Sequence, residues 1–144
     1  CPAPPLATLS CFEEEEAEFM SDNIHVLTVD DSASMRALLR AALSSRGYNV
    51  SQAEDGVDAL EWLSQHGGDV DVILTDINMP RMDGFGLIEA LRGQSRFRDC
   101  PILVLSTESS DDKKARARSA GATGWIVKPF DADKLDQALR RVTH

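Results

Sequence analysis

Apolar residues fall along the chain in two alternating rhythms. Short, nearly continuous runs read as strands: IHVLTV (24–29), YNVSQA (48–53), VDVILT (70–75), PILVLS (101–106) and GWIVK (124–128). Between them lie longer segments with helical spacing. Ser34 to Arg46 places Met35, Leu38, Leu39, Ala42 and Leu43 on one face and Arg36, Arg40 and Arg46 off it, and Gly47 stops the helix. VDALEWLSQHGG ends the same way at Gly67-Gly68, and GFGLIEALRG, DDKKARARSAG and DADKLDQALRRV complete the series. Strict alternation of five strands with five helices predicts an α/β fold, a doubly wound five-stranded parallel sheet covered by helices on both faces.

In such a sheet all strands end on one edge, where ligands bind. Strand one ends in Asp30-Asp31, strand two in Glu54-Asp55, strand three in Asp76, strand four in Ser106 and strand five in Lys128-Pro129. The third is the most abrupt. VDVILTDINMPRMDG runs through apolar residues straight into Asp76, then turns through Asn78, Met79-Pro80 and Asp83-Gly84.

Composition narrows the setting. The chain has 144 residues, enough for one core without metal or disulfide staples. It is 42% hydrophobic and 27% charged, the balance of a soluble globular protein. No apolar stretch reaches the roughly eighteen residues of a membrane span. The net charge of −9 is concentrated at the start, where CFEEEEAEF holds five of the 24 acids. From Met20 onward 19 acids face 15 bases, which argues against binding nucleic acid phosphates. Residues 1–19, Pro-rich and then Glu-rich, are expected to be a disordered acidic leader, an expression remnant or a mis-assigned start; the functional domain is expected to span 20–144. No positive segment precedes their apolar part, so they do not read as a secretory signal. Cys1, Cys11 and Cys100 lack metal-ligand spacing, and their usage suits a reducing, cytoplasmic setting.

Carboxylates gathered on one edge repel one another and call for a cation. With oxygen donors only, Mg²⁺ is the expected metal, held by Asp30, Asp31, Asp76 and the Asn78 carbonyl. Lys128 adds a charge and Ser106 a hydroxyl. Together they suit phosphoryl transfer, with Asp76 as nucleophile forming an acyl phosphate. Taken singly, each residue has a plainer reading: Asp30-Asp31-Ser32 as a helix cap, Asp76-Ile77-Asn78 as turn chemistry, Ser106 as a loop hydroxyl, Lys128 as a surface lysine. Their order, one on each of several strand ends, favours the joint reading. GFG at 84–86 lacks the third glycine of a dinucleotide fingerprint, Trp62 reads as core, and His25, His66 and His144 stand isolated.

The motifs VDD, DINMPRMDG, LST and GATGWIVKPF resemble the receiver domains of two-component response regulators, over essentially all of 22–143. DDSASMR, AEDGVDAL and NMPRMDG narrow the likeness to the CheY-like single-domain chemotaxis regulators, whose fold is flavodoxin-like. The resemblance implies that Asp76 is the phosphorylated residue and that Asp31, Asp76 and the Asn78 carbonyl bind Mg²⁺ directly, Asp30 through water. It implies that Ser106 and Trp125 form the switch, that Lys128 binds phosphate and precedes a cis proline, and that Asn78 and Glu108 tune hydrolysis. Trp125 stands where the family often has Tyr or Phe.

The implied partners are a CheA-like histidine kinase, a flagellar motor switch protein and a phosphatase, with the chain a monomer away from nucleic acid and membrane. It would be a signalling protein rather than an enzyme, catalysing only its own aspartyl phosphorylation and dephosphorylation. KKARAR (113–118) reads first as a solvated helix face, and in the family it borders the partner surface. Two other outputs remain: a phosphate sink or relay intermediate that never meets the motor, and a pseudo-receiver that only binds proteins. A hydrolase of small acyl phosphates would need a substrate pocket of its own.

Overall fold

The computed structural model describes residues 24–66 and 70–143, so the predicted leader and the Gly67-Gly68 stop lie outside the described residues. Each apolar run forms a strand, trimmed by one or two residues at one end: β1 His25–Val29, β2 Asn49–Ala53, β3 Val72–Thr75, β4 Ile102–Ser106 and β5 Gly124–Val127. The helices are α1 Ala33–Ser44, α2 Gly56–His66, α3 Gly84–Arg92, α4 Asp111–Ala120 and α5 Ala132–Val142. A short 3₁₀ turn at Ser95–Phe97, not foreseen, buries Phe97.

All strands are parallel, in the order β2-β1-β3-β4-β5, the doubly wound flavodoxin-like order. Side chains alternate across the sheet, so each strand feeds two cores. Leu27, Val29, Ile73, Ile102 and Val104 pack under α2, α3 and α4 with Leu63, Phe85, Ile88 and Leu91. Val26, Val72, Leu74, Leu103 and Leu105 pack under α1 and α5 with Leu39, Leu43, Leu135 and Leu139.

One assignment is corrected. Leu38, expected on the buried face of α1, is 57% exposed. The helix beds along Leu39 and Leu43, with Met35 partly buried against the same core. At about 100° per residue, Leu38 falls on the flank of that line.

Helix α4 is held differently from the others. Ala117 is its sole buried residue. The Arg116 guanidinium lies 4.1 Å over the Phe85 ring of α3 and adds a cation–π contact.

Candidate acidic phosphoryl-acceptor site

Strand register assembles the site. Val29 pairs with Thr75, so the next residues, Asp30 and Asp76, emerge side by side. The Asp76 N–H donates to the Val29 carbonyl at 2.9 Å, carrying the ladder one step past the strand. On the other side, Ser106 pairs with Val127, and the Lys128 N–H donates to the Ser106 carbonyl at 2.8 Å. The Lys128-Pro129 bond is cis. After Asp31, Ser32 caps α1 by accepting from the Met35 N–H. This cap starts a helix directly behind the acidic pair.

Carboxylate oxygens of Asp30, Asp31 and Asp76 lie within 4.8 Å of one another. Asp30 is buried, Asp76 half-buried and Asp31 exposed. The Lys128 ammonium bridges two of them, 2.7 Å from Asp30 Oδ2 and 3.2 Å from Asp76 Oδ2. The remaining Asp30 oxygen accepts the Ser32 N–H at 2.9 Å, and Asp76 Oδ1 accepts the Ile77 N–H at 2.6 Å. The Arg36 guanidinium reaches the Asp30 carbonyl at 2.7 Å.

The electrostatics differ from simple mutual repulsion. Burial is the main force pushing the Asp76 carboxyl up; the Ile77 N–H and Lys128 oppose it, and the charge of Asp30 adds only a small upward push. At Lys128, burial acts against the ammonium, but the hydrogen bond to Asp30 and the charges of Asp76 and Asp30 outweigh it and raise its pKa. Lys128 is therefore a fixed cation that holds the Asp76 anion against desolvation.

Beside this cluster, Ser106 is fully buried and its hydroxyl accepts the Glu108 N–H at 3.2 Å. The Trp125 indole N–H donates to the Glu108 carbonyl at 2.9 Å, and its ring is half-buried against the α2–α4 core. The Glu108 carboxylate lies 3.4 Å from the Asn78 amide nitrogen and takes two bonds from Lys113, at 2.8 and 2.7 Å. Lys113 holds the Glu108 carboxyl below its usual range. Ser106, Glu108, Trp125 and Asn78 are thus one connected set, which their spacing in the chain did not show.

Two features escaped sequence reasoning. Asp55, on the second strand tip, is buried and grips Arg81 through two bonds, at 2.8 and 3.1 Å. Arg81 takes a φ of 62°, uncommon for a side-chain-bearing residue, and sits in the loop after Asn78. His25 and His66 are not isolated either. They flank Trp62, with His66 stacked at 4.7 Å and His25 edge-on at 5.8 Å, where β1 begins and α2 ends.

The donor set fits a hard divalent cation. It offers three carboxylates and no nitrogen or sulfur ligand, and the exposed Asp31 opens the cluster to solvent. Among the described residues this is the one acidic group of its kind.

Residues 26–140 match the Response regulator receiver domain family. Chemotaxis protein CheY1 of Helicobacter pylori is 41% identical over 118 residues, covering 81% of this chain and 94% of that protein. The structure of Vibrio cholerae chemotaxis protein CheY4 superposes with a TM-score of 0.78 at 44% identity, covering 83% of this chain and 98% of that one. The receiver domain of the Pseudomonas aeruginosa sensor histidine kinase PA1611, solved with magnesium coordinated in its active-site cleft, superposes at 0.77 with 27% identity, over 84% and 98% of the two chains. The chain belongs to the response regulator receiver-domain family and is closely related to the CheY chemotaxis regulators.

Proposed function

We propose that this receiver accepts a phosphoryl group on Asp76 from the phosphohistidine of a CheA-like kinase and, once modified, presents a changed surface to the flagellar motor switch. The observation that carries this reading is Lys128 held between Asp30 and Asp76 on an edge that also gathers Asp31. An Asp76 oxygen attacks phosphorus while the histidine N–P bond breaks, and the electron pair returns to the imidazole nitrogen. Lys128 stays charged through the transfer and balances the incoming anion. A bound Mg²⁺, held by Asp30, Asp31, Asp76 and the Asn78 carbonyl, supplies further charge neutralisation there. The magnesium in the PA1611 receiver cleft supports that metal.

The output follows from the connected set. In this reading Ser106 gives up the Glu108 N–H bond that its hydroxyl accepts and donates its O–H to the new phosphoryl group instead. That exchange moves the loop whose Glu108 carbonyl anchors Trp125. A chemotaxis role is supported by the relatives, named as chemotaxis proteins.

Intact mass after incubation with Mg²⁺ and acetyl phosphate tests the acceptor. The parent is expected to gain one phosphoryl group and the Asp76→Asn variant none. No gain by folded parent removes phosphotransfer and leaves the protein-binding reading. Phosphorylation-dependent binding of a motor-switch peptide tests the output, and its absence favours a phosphate sink.

A further inference from the structure

Lys113 occupies an unfavourable place. It lies in the first turn of α4, three residues after the Ser110 cap, and its N–H donates to that cap at 3.3 Å. A cation there faces the positive end of the helix dipole. Asp111 and Asp112 suit that position; Lys113 does not. Its side chain folds back instead and places both short hydrogen bonds on the Glu108 carboxylate, one residue pair linking α4 to the tip of β4.

The same carboxylate meets the Asn78 amide. Asn78 follows Asp76 by two residues, and Glu108 follows Ser106 by two. Lys113, Glu108 and Asn78 therefore tie together the two loops that leave the sheet beside the acceptor and the switch hydroxyl. A carboxylate engaged on both oxygens has little capacity left to orient a water or draw off its proton.

We propose that Lys113 is a positioning residue that immobilises Glu108 against Asn78 and so lengthens the life of the phosphoryl group on Asp76; this rests on the phosphotransfer reading above. In the reaction it restrains, a water oxygen bonds to phosphorus and the P–O bond to Asp76 breaks. The electron pair returns to the Asp76 carboxylate, the water proton leaves to solvent, and inorganic phosphate departs. Freeing Glu108 lets its carboxylate turn to that water and opens the tie between the loops.

The test follows decay of the phosphorylated protein by intact mass, after rapid removal of acetyl phosphate, in Mg²⁺ buffer. Lys113→Ala is expected to decay roughly two- to fivefold faster than the parent, the scale on which a partly exposed ion pair acts. Lys113→Arg, which keeps charge and reach, is expected to restore the parent rate. In a Glu108→Gln background, Lys113→Ala is expected to add nothing. Raising the salt concentration is expected to speed decay of the parent and not of Lys113→Ala, because the pair is screened. Equal or slower decay in Lys113→Ala, with the parent labelled normally, overturns the role of Lys113 alone. Failure of the parent to label overturns the acceptor reading and this inference with it.

Discussion

The ammonium of Lys128 lies 2.7 Å from Asp30 Oδ2, closer than its 3.2 Å approach to Asp76, the proposed acceptor. The lysine thus occupies one of the oxygens a divalent ion would recruit. A bound Mg²⁺ would compete with the lysine for Asp30 and share Asp76 with it. Replacing Lys128 by alanine removes both the competition and the like-charge repulsion, so Mg²⁺ affinity is expected to rise by about tenfold. Phosphorylation from acetyl phosphate is expected to fall by roughly a hundredfold, since a fixed cation at the transferred group is lost. A Mg²⁺ titration followed by tryptophan emission measures the first and intact mass the second. Unchanged metal affinity means that the ion does not need the oxygen Lys128 holds.

Asp55 and Arg81 join the β2–α2 loop to the loop after Asn78, and the contact is expected to protect the fold in a pH-dependent way. Hydrogen bonds from Arg81 are the largest cause of the lowered Asp55 pKa. A carboxyl lowered in the folded state stabilises above its unfolded pKa of about 3.9 and loses that contribution as pH falls through the folded value. Arg81→Ala is expected to lower the melting temperature by roughly 3–6 °C at neutral pH. Its curve should approach that of the parent at the acid end. Arg81→Gly, which accepts the φ of 62° freely, is expected to lose less. Thermal melts across pH check both, and a gap that persists undiminished at low pH counts against the pair.

Trp125 is expected to report the switch. Its indole N–H is tied to the Glu108 carbonyl beside Ser106, whereas Trp62 lies at the opposite end of the sheet between His25 and His66. These are the two tryptophans of the chain. Phosphorylation is expected to change the emission of the parent and leave Trp125→Phe nearly flat. A full signal in Trp125→Phe assigns the change to Trp62 and removes Trp125 from the switch.

Gly84 is expected to tolerate no side chain. Its N–H donates to the Ile77 carbonyl at 2.8 Å, and a Cβ would strike the Asp76 carbonyl oxygen and lie 2.9 Å from Ile77 Cα. Both obstacles are backbone and cannot swing aside. Gly84→Ala is expected to cost about 3 kcal/mol or more and to displace Asp76. Denaturant unfolding gives the cost; a loss below about 1 kcal/mol means that α3 can slide without harm.

The alternation of apolar runs with amphipathic segments was enough to place five parallel strands and five helices, because period and strand length are local properties. The strand-tip residues Asp30, Asp31, Asp76, Ser106 and Lys128 followed, since a parallel sheet brings all its carboxyl ends to one edge. Leu38 could not be placed the same way. A helical wheel shows which residues share a face, and only the packed neighbours show how wide a stripe is covered. The grip of Asp55 on Arg81, the hold of Lys113 on Glu108 and the meeting of His25 with His66 around Trp62 depend on loop conformation and strand register. Those are settled by contacts between residues far apart in the chain. Sequence alone therefore determined which chemistry reaches the edge, and the tertiary structure decided how tightly each group is held and by whom.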